Sequence, residues 1–541
     1  PQDIIIAASD TNGAKQDQYV LVEITQQPTT RQSPKGKVIQ ILGDQSTPGI
    51  DIDLSVYNHD IPYEFPEAVC KEVESYSPEV QEQDKLDRVD CRDKHFVTID
   101  GEDARDFDDA VCCEQKPSGE WTLWVAIADV AHYVQPGSAL DVEAKNRGNS
   151  VYFPGSVVPM LPTILSNELC SLRPNVDRLA MVCEIHLSKD GEVQSSNLYN
   201  AVINSKARLT YTGVSKMLQE DDANEQVAYL HSLYRLYKLL NKKREQRGAL
   251  DFDTVETKIV FNQQKKIEKI IPVVRNEAHK IIEECMLLAN IVVATYLLKE
   301  KVATVFRNHE SPDHLKLKQL KEYLKLFGLQ LSGGDAPTAL DFTQLLRQIH
   351  GRDDVALLQR VILRVQQQAV YSAENVGHFG LNYKAYAHFT SPIRRYPDLI
   401  VHRSIKHIIA KDKSGFCYNM EEVDSLAKHC SMTERRADLA TREATDRLKC
   451  DYMKDKVGQT YDAMIVEVTN FGVFVELNDI YVQGLVHITA LKNDYYQYDE
   501  VKRCLYGKHT GLCYSLTDPI RVLLSRVDVD NRKIDFDLAG D

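Results

Sequence analysis

Between Ile99 and Ala110 the chain reads Ile-Asp-Gly-Glu-Asp-Ala-Arg-Asp-Phe-Asp-Asp-Ala, which puts five aspartates and a glutamate within ten residues. Like charge at this density is costly unless a cation sits among it. Arg105 and water offset part of the charge, and a divalent ion does so better. Carboxylate oxygens without an accompanying Cys or His pair suit Mg²⁺ or Mn²⁺ rather than zinc. The loop does not follow the EF-hand pattern, because its glycine and closing glutamate fall elsewhere. The plain alternative is a solvated acidic loop. A second segment, His378 to Asp398, carries the complementary charge as Ser-Pro-Ile-Arg-Arg-Tyr-Pro-Asp. Ser391-Pro392 makes a rigid turn, and Tyr396-Pro397-Asp398 starts a helix. Arg394 and Arg395 lie between them, where guanidinium groups beside a helix N-terminus match a phosphate. An acidic metal loop and an arginine pair are the two halves of a phosphoryl-transfer site.

The elements that must position these groups can be read from periodicity. His95 to Ile99 is a strand that Asp100 closes, and Trp121 to Ala128 is a buried strand. Helical patterns run over Glu277–Lys301, Leu358–Asn375, Asp398–Ala410 and Met432–Cys450. Residues 1–82 alternate in short strand-like runs broken by Gly, Pro, Asn and Gln, which predicts an incomplete OB-type barrel. Within it, the acidic stretch Pro66–Lys85 reads as a helical linker. Residues 83–455 form one α+β unit without repeats. Residues 456–541 turn all-β again, with Val473, Val475 and Leu477 on one strand face and Phe474 on the other. Phe471 and Phe474 are then candidates for a base-stacking platform, their plain alternative being packing under a loop.

The chain of 541 residues has room for two to four domains. Its net charge of −14 argues against nucleic acid unless positive charge is segregated in space. Twelve cysteines without any C-x-x-C pair read as reduced thiols of a cytoplasmic protein. The longest near-apolar run, Met286–Leu298, has 13 residues and carries Asn290 and Thr295, so it reads as a buried helix rather than a membrane span.

The strings Thr98–Ala110 and His388–Leu399 with His402 resemble the two signatures of the ribonuclease II family, within it the bacterial ribonuclease R branch. Supporting strings are Asn149–Pro154, Ala207–Tyr211 and His279–Cys285, and the tail resembles an S1-type RNA-binding OB domain. The resemblance covers nearly the whole chain. It implies an α+β catalytic core flanked by all-β barrels, cold-shock-like at the N-terminus and S1-type at the C-terminus. It also implies processive 3′→5′ hydrolysis of single-stranded, possibly structured, RNA to 5′-mononucleotides with a short limit product. Under it, Asp100, Asp106 and Asp109 are ligands of one Mg²⁺, with Mn²⁺ as the substitute. Asp108 holds a second metal or orients water, as in two-metal in-line displacement, and Arg394 neutralises the scissile phosphate. Tyr211 corresponds to the clamp on the terminal nucleotide, Tyr152 and Phe252 to residues that stack or bound the last bases, and each has an ordinary core aromatic as its alternative. One of Glu283 and Glu284 faces the RNA 3′ end, with Glu283 preferred. Arg395 and, on the tail domain, Phe471, Phe474 and His487 complete the expected RNA contacts. The basic run Lys242–Arg247 reads as a solvated helix face, and Glu102 and Asp103 as solvated.

The expected partner is single-stranded RNA, met by a monomer without membrane attachment. Two departures from the family pattern suggest a trimmed chain. Only one OB domain fits in the first 82 residues, and no lysine-rich tail follows Leu538; the first residue is also not Met. Two other functional classes stand beside this one. A silent RNA-holding protein would have a broken carboxylate set, whereas all four aspartates are present. A phosphodiesterase acting on DNA or a cyclic nucleotide differs only in how it meets the ribose 2′-hydroxyl.

Overall fold

The computed structural model describes residues 3–30, 32–219, 225–252, 256–263, 265–352, 354–410, 418–491, 494–500 and 502–539. Three strands open the chain: β1 (Ile5–Ile6), β2 (Tyr19–Gln26) and β3 (Lys35–Gly43). They form a sheet in the order β1-β3-β2, and the helix Ile50–Asn58 follows. That helix is absent from the sequence expectation because Ile-Asp-Ile-Asp alternates with a period of two. Burial of Ile50, Leu54 and Val56 decides for helix, and tertiary packing overrides the local pattern. The stretch expected as a linker is docked. Its helix Glu67–Val73 buries Val69, and Glu72 accepts a hydrogen bond from the Leu140 amide.

The core is built on a seven-stranded mixed sheet. Its strands are β4 (Val89–Asp90), β5 (Val97–Asp100), β6 (Asp109–Gln115), β7 (Trp121–Ala128), β8 (Asp177–Leu187), β9 (Val193–Asn204) and β10 (Ala207–Thr210). The spatial order is β10-β5-β6-β7-β8-β9-β4. Both faces are covered, so β7 is buried along its whole length. Adjacent Cys112 and Cys113 therefore enter opposite cores, one with Trp124 and Leu399, the other with Leu123 and Ile281. They act as small hydrophobes.

The helix Glu277–Glu300 covers one face of this sheet, burying Ile281, Cys285, Val293 and Leu297. It is longer than the 13-residue apolar run and is long and apolar enough by composition to cross a bilayer, yet its apolar side faces the sheet. The helical pattern at Leu358–Asn375 is corrected. The helix ends at Arg364, and Val370–Ser372 is a strand paired with Phe306–Asn308. No Gly or Pro marks that switch, and the cross-strand partners lie 62 to 66 residues upstream. The helix Met420–Lys454 then leads into a closed five-stranded barrel of Thr460–Thr469, Gly472–Leu477, Gln483–His487, Lys533–Leu538 and Pro519–Asp528.

Candidate active site

Strands β5 and β6 are antiparallel neighbours, so Asp100 and Asp109 close the two ends of one loop. The loop is held by groups outside it. Arg208 donates to the carbonyls of Gly101 at 2.7 Å and Glu102 at 2.8 Å. The Ser171 hydroxyl accepts from the Phe107 amide and donates to the Arg105 carbonyl. Neither residue was assigned a role from sequence. Arg208 lies inside the string Ala207–Tyr211, but nothing local shows that it reaches back across a hundred residues. Glu102 and Asp103 stay at the surface, and Asp103 pairs with Lys258.

The second motif meets the first at Asp108. This carboxylate is 3% exposed, accepts from the Ile393 amide at 2.9 Å and faces the Arg394 Nε at 3.2 Å. The turn that presents Arg394 is locked from inside. Fully buried Asp398, in the first turn of the helix Tyr396–Ile409, accepts from the Ser391 amide and from Arg395, both at 2.8 Å. Arg395 is therefore turned inward. Arg394 keeps 44% of its side chain exposed and also donates to the Ser391 hydroxyl. Both arginines line a cavity of about 290 Å³ together with Asn149, Tyr152 and Tyr371.

Burial raises the carboxyl of Asp100 to about 7, aided by Asp108 and Asp106. Burial likewise raises Asp108 to about 8 and Asp109 to about 8, the latter aided by Asp100. Arg394 opposes each of these shifts. Among the described residues the buried Oδ2 of Asp100 has no hydrogen-bond partner. Crowded carboxylates that hold protons this strongly, with one buried oxygen unsatisfied, fit a hard divalent cation. Among the described residues no three such ligands are already drawn into a coordination shell. The Asp106 carboxylate is given to the Tyr152 hydroxyl at 3.0 Å, and that of Asp108 to Arg394.

These shifts set a pH dependence. Each folded-state value lies above the unfolded carboxyl value of about 4, so the stability from protonation is complete below that pH and lost as pH rises through 7 to 8. In EDTA the melting temperature should fall over pH 5 to 8 and level off above, more in the native protein than in Asp109→Asn. Mg²⁺ should raise it more at pH 8.5 than at pH 6, because ligation displaces protons. Thermal melts with and without Mg²⁺ check this, and an increment equal at both pH values would contradict it.

The remaining expected residues fall into two groups. Tyr152, 47% exposed, joins the carboxylates through Asp106. Tyr211 begins the helix after β10, stacks on His279 with ring centroids 3.9 Å apart, and feels the charge of Asp109 and Asp100. The others are held by other partners. Phe252 packs against the cluster of Leu317, Phe342 and the C-terminal barrel. Arg244 pairs with Glu283 and Glu284, each at 2.9 Å, and Arg275 also pairs with Glu283. Arg244 is thus an inward clamp on the helix, which corrects the reading of Lys242–Arg247 as a solvated face throughout. On the barrel, Phe471 is 45% exposed and meets Phe474 edge-on at 6.1 Å. The exposed His487 pairs in register with Gly472 beside them.

The sequence matches the RNB domain family over residues 88–411, the cold shock domain family over 1–66 and the S1 RNA binding domain family over 454–538. Ribonuclease R of Vibrio parahaemolyticus is 51% identical over 553 residues, covering 99% of this chain and 66% of that protein. Ribonuclease R of Escherichia coli is 49% identical, covering 99% and 68%. The chain thus spans about two thirds of the length of these curated relatives. The solved structure of Mycoplasma genitalium RNase R in complex with ribose-methylated single-stranded RNA superposes with a TM-score of 0.94 at 31% identity, over 99% of this chain and 85% of that one. With a carboxylate loop and an arginine turn meeting inside a matched RNB domain, this chain belongs to the RNB family of 3′→5′ exoribonucleases, in its ribonuclease R branch.

Proposed function

We propose that this chain hydrolyses single-stranded RNA from its 3′ end, processively, releasing 5′-mononucleotides and stopping at a short oligonucleotide. The observation that carries the reading is the contact between Arg394 and Asp108, which joins two motifs 286 residues apart. Asp100, Asp106 and Asp109 would hold one divalent cation and Asp108 would complete a second position, Mg²⁺ or Mn²⁺ in each case. Bound there, such cations supply water activation and charge neutralisation. The residues of the chain do the rest. Arg394 is presented toward the space over Asp108 and offsets charge as the phosphate gains it. Tyr152 and Tyr211, on either side of the carboxylates, offer ring faces to the terminal bases. Phe471, Phe474 and His487 give the upstream strand a surface on which stacking adds about 1–3 kcal/mol per base without sequence preference. The chain acts as a monomer in the cytoplasm, where its buried thiols stay reduced.

The test uses a 5′-labelled single-stranded RNA of about 30 nucleotides beside a matched DNA, in Mg²⁺ and in EDTA. The expected result is full-length RNA passing directly to a very short product, only with metal, while the DNA persists. Binding without cleavage would leave an RNA-holding protein, and equal loss of the DNA would leave a general phosphodiesterase.

A further inference from the structure

Both flanking units are anchored on the long helix Met420–Lys454 by apolar packing, and a polar seam joins them there. The N-terminal unit is docked on it through apolar packing, with Val56 and Ile61 seated against Ala437, Ala440 and Ala444. Three alanines on one face let the two backbones approach closely. The barrel is anchored farther along the same helix, where Cys450 and Met453 join its interior cluster with Ile465 and Phe536. Beside the last of the three alanines lies a polar seam. Glu443, buried on the helix, receives Asn58 at 2.7 Å and His59 at 3.0 Å from the N-terminal unit. It also receives Arg447 from its own helix and Arg532 from the barrel. Two residues before Arg532, the Asp530 carboxylate accepts from the Tyr19 hydroxyl on β2 at 2.8 Å. One hairpin tip of the barrel thus touches both the helix and the N-terminal sheet.

We infer that Glu443 and this tip form a clasp that fixes the barrel relative to the catalytic core, and that Glu443 is a positioning residue for RNA retention rather than for chemistry. The inference rests on the exoribonuclease reading and deepens it. Apolar packing anchors each unit on the helix, and the charge-assisted contacts at the seam tie the barrel's hairpin tip to the N-terminal unit, which limits how far the barrel turns about its own anchorage. A long RNA that lies on both the barrel and the core depends on their spacing. An RNA short enough to touch only the core does not. Burial pushes the Glu443 carboxyl up, but hydrogen bonds from Asn58, Arg532, His59 and Arg447 outweigh it and bring the carboxyl down to about 2, so it stays charged throughout the working range.

The experiment compares the native protein with Glu443→Gln, Arg532→Ala and Arg532→Lys on RNAs of about 5 and 30 nucleotides, chased with excess unlabelled RNA. Nucleotides released per binding event on the long RNA should fall about fivefold or more in Glu443→Gln and Arg532→Ala, and recover in Arg532→Lys. On the short RNA, kcat and KM should stay within about twofold. Unchanged processivity would overturn the inference, and so would equal losses on both RNAs, since a merely structural role loses both together. Spin labels on exposed Cys70 and Cys513, with Cys417→Ser as background, read the spacing without activity. Their distance distribution should broaden in the first two variants, and an unchanged distribution would also overturn the clasp. A native protein inactive on both RNAs would instead overturn the functional reading, while the label distances still decide the clasp.

Discussion

Asp108→Asn should bind RNA almost as the native protein does and cleave it on the order of 10³-fold more slowly. The amide keeps the shape of the side chain and still accepts from the Ile393 amide, so the turn that follows holds its position. On the proposed reading, what is lost is the anion that a bound cation would draw from Asp108, and with it a ligand for the second position. Affinity should change by less than about threefold, because grip is spread over the tyrosines and the barrel surface. The variant should also be no less stable in EDTA, since burial already disfavours the Asp108 anion and pushes its carboxyl up to about 8. Single-turnover cleavage beside filter binding separates the two effects. Turnover within tenfold of native would remove Asp108 from the catalytic set.

Arg394→Lys should lose about 10²-fold in kcat with a much smaller change in KM, despite keeping the charge. The guanidinium uses Nε toward Asp108 and Nη2 toward Ser391, which leaves its remaining edge to face a phosphate. An ammonium satisfies one such partner at a time and is drawn down to Asp108, away from the substrate. Steady-state kinetics on a single-stranded RNA reads the split. A kcat above one third of native would show that a point charge suffices and that the fork geometry does nothing.

The parts of this fold that were legible from sequence are those in which local pattern and tertiary packing agree. The apolar run into Asp100 reads as a strand and is one, and the Tyr396 helix starts where proline and aspartate put it. Misreadings occur where they conflict. Ile50–Asn58 alternates like a strand but is buried on a helical face, and the stretch after Arg364 turns to strand only because Phe306–Asn308 lies beside it. The carboxylates and Arg394 were recognisable by type and spacing. Their fixings were not, because Arg208, Ser171 and Arg244 act through contacts formed far along the chain. Arg244 in particular sits in a run of lysines and arginines whose local sequence looks solvated, and only the neighbouring helix shows which way it points.

The meeting of Asp108 with Arg394 also has a bearing on how the protein is made. A growing chain that has emerged only as far as β10 carries the complete carboxylate loop and Arg208 to hold it, but no arginine turn. Its Asp108 stays without the Arg394 guanidinium until synthesis has passed the start of the helix Tyr396–Ile409. A chain assembled in this order gains the contact that joins its two motifs only late in its synthesis.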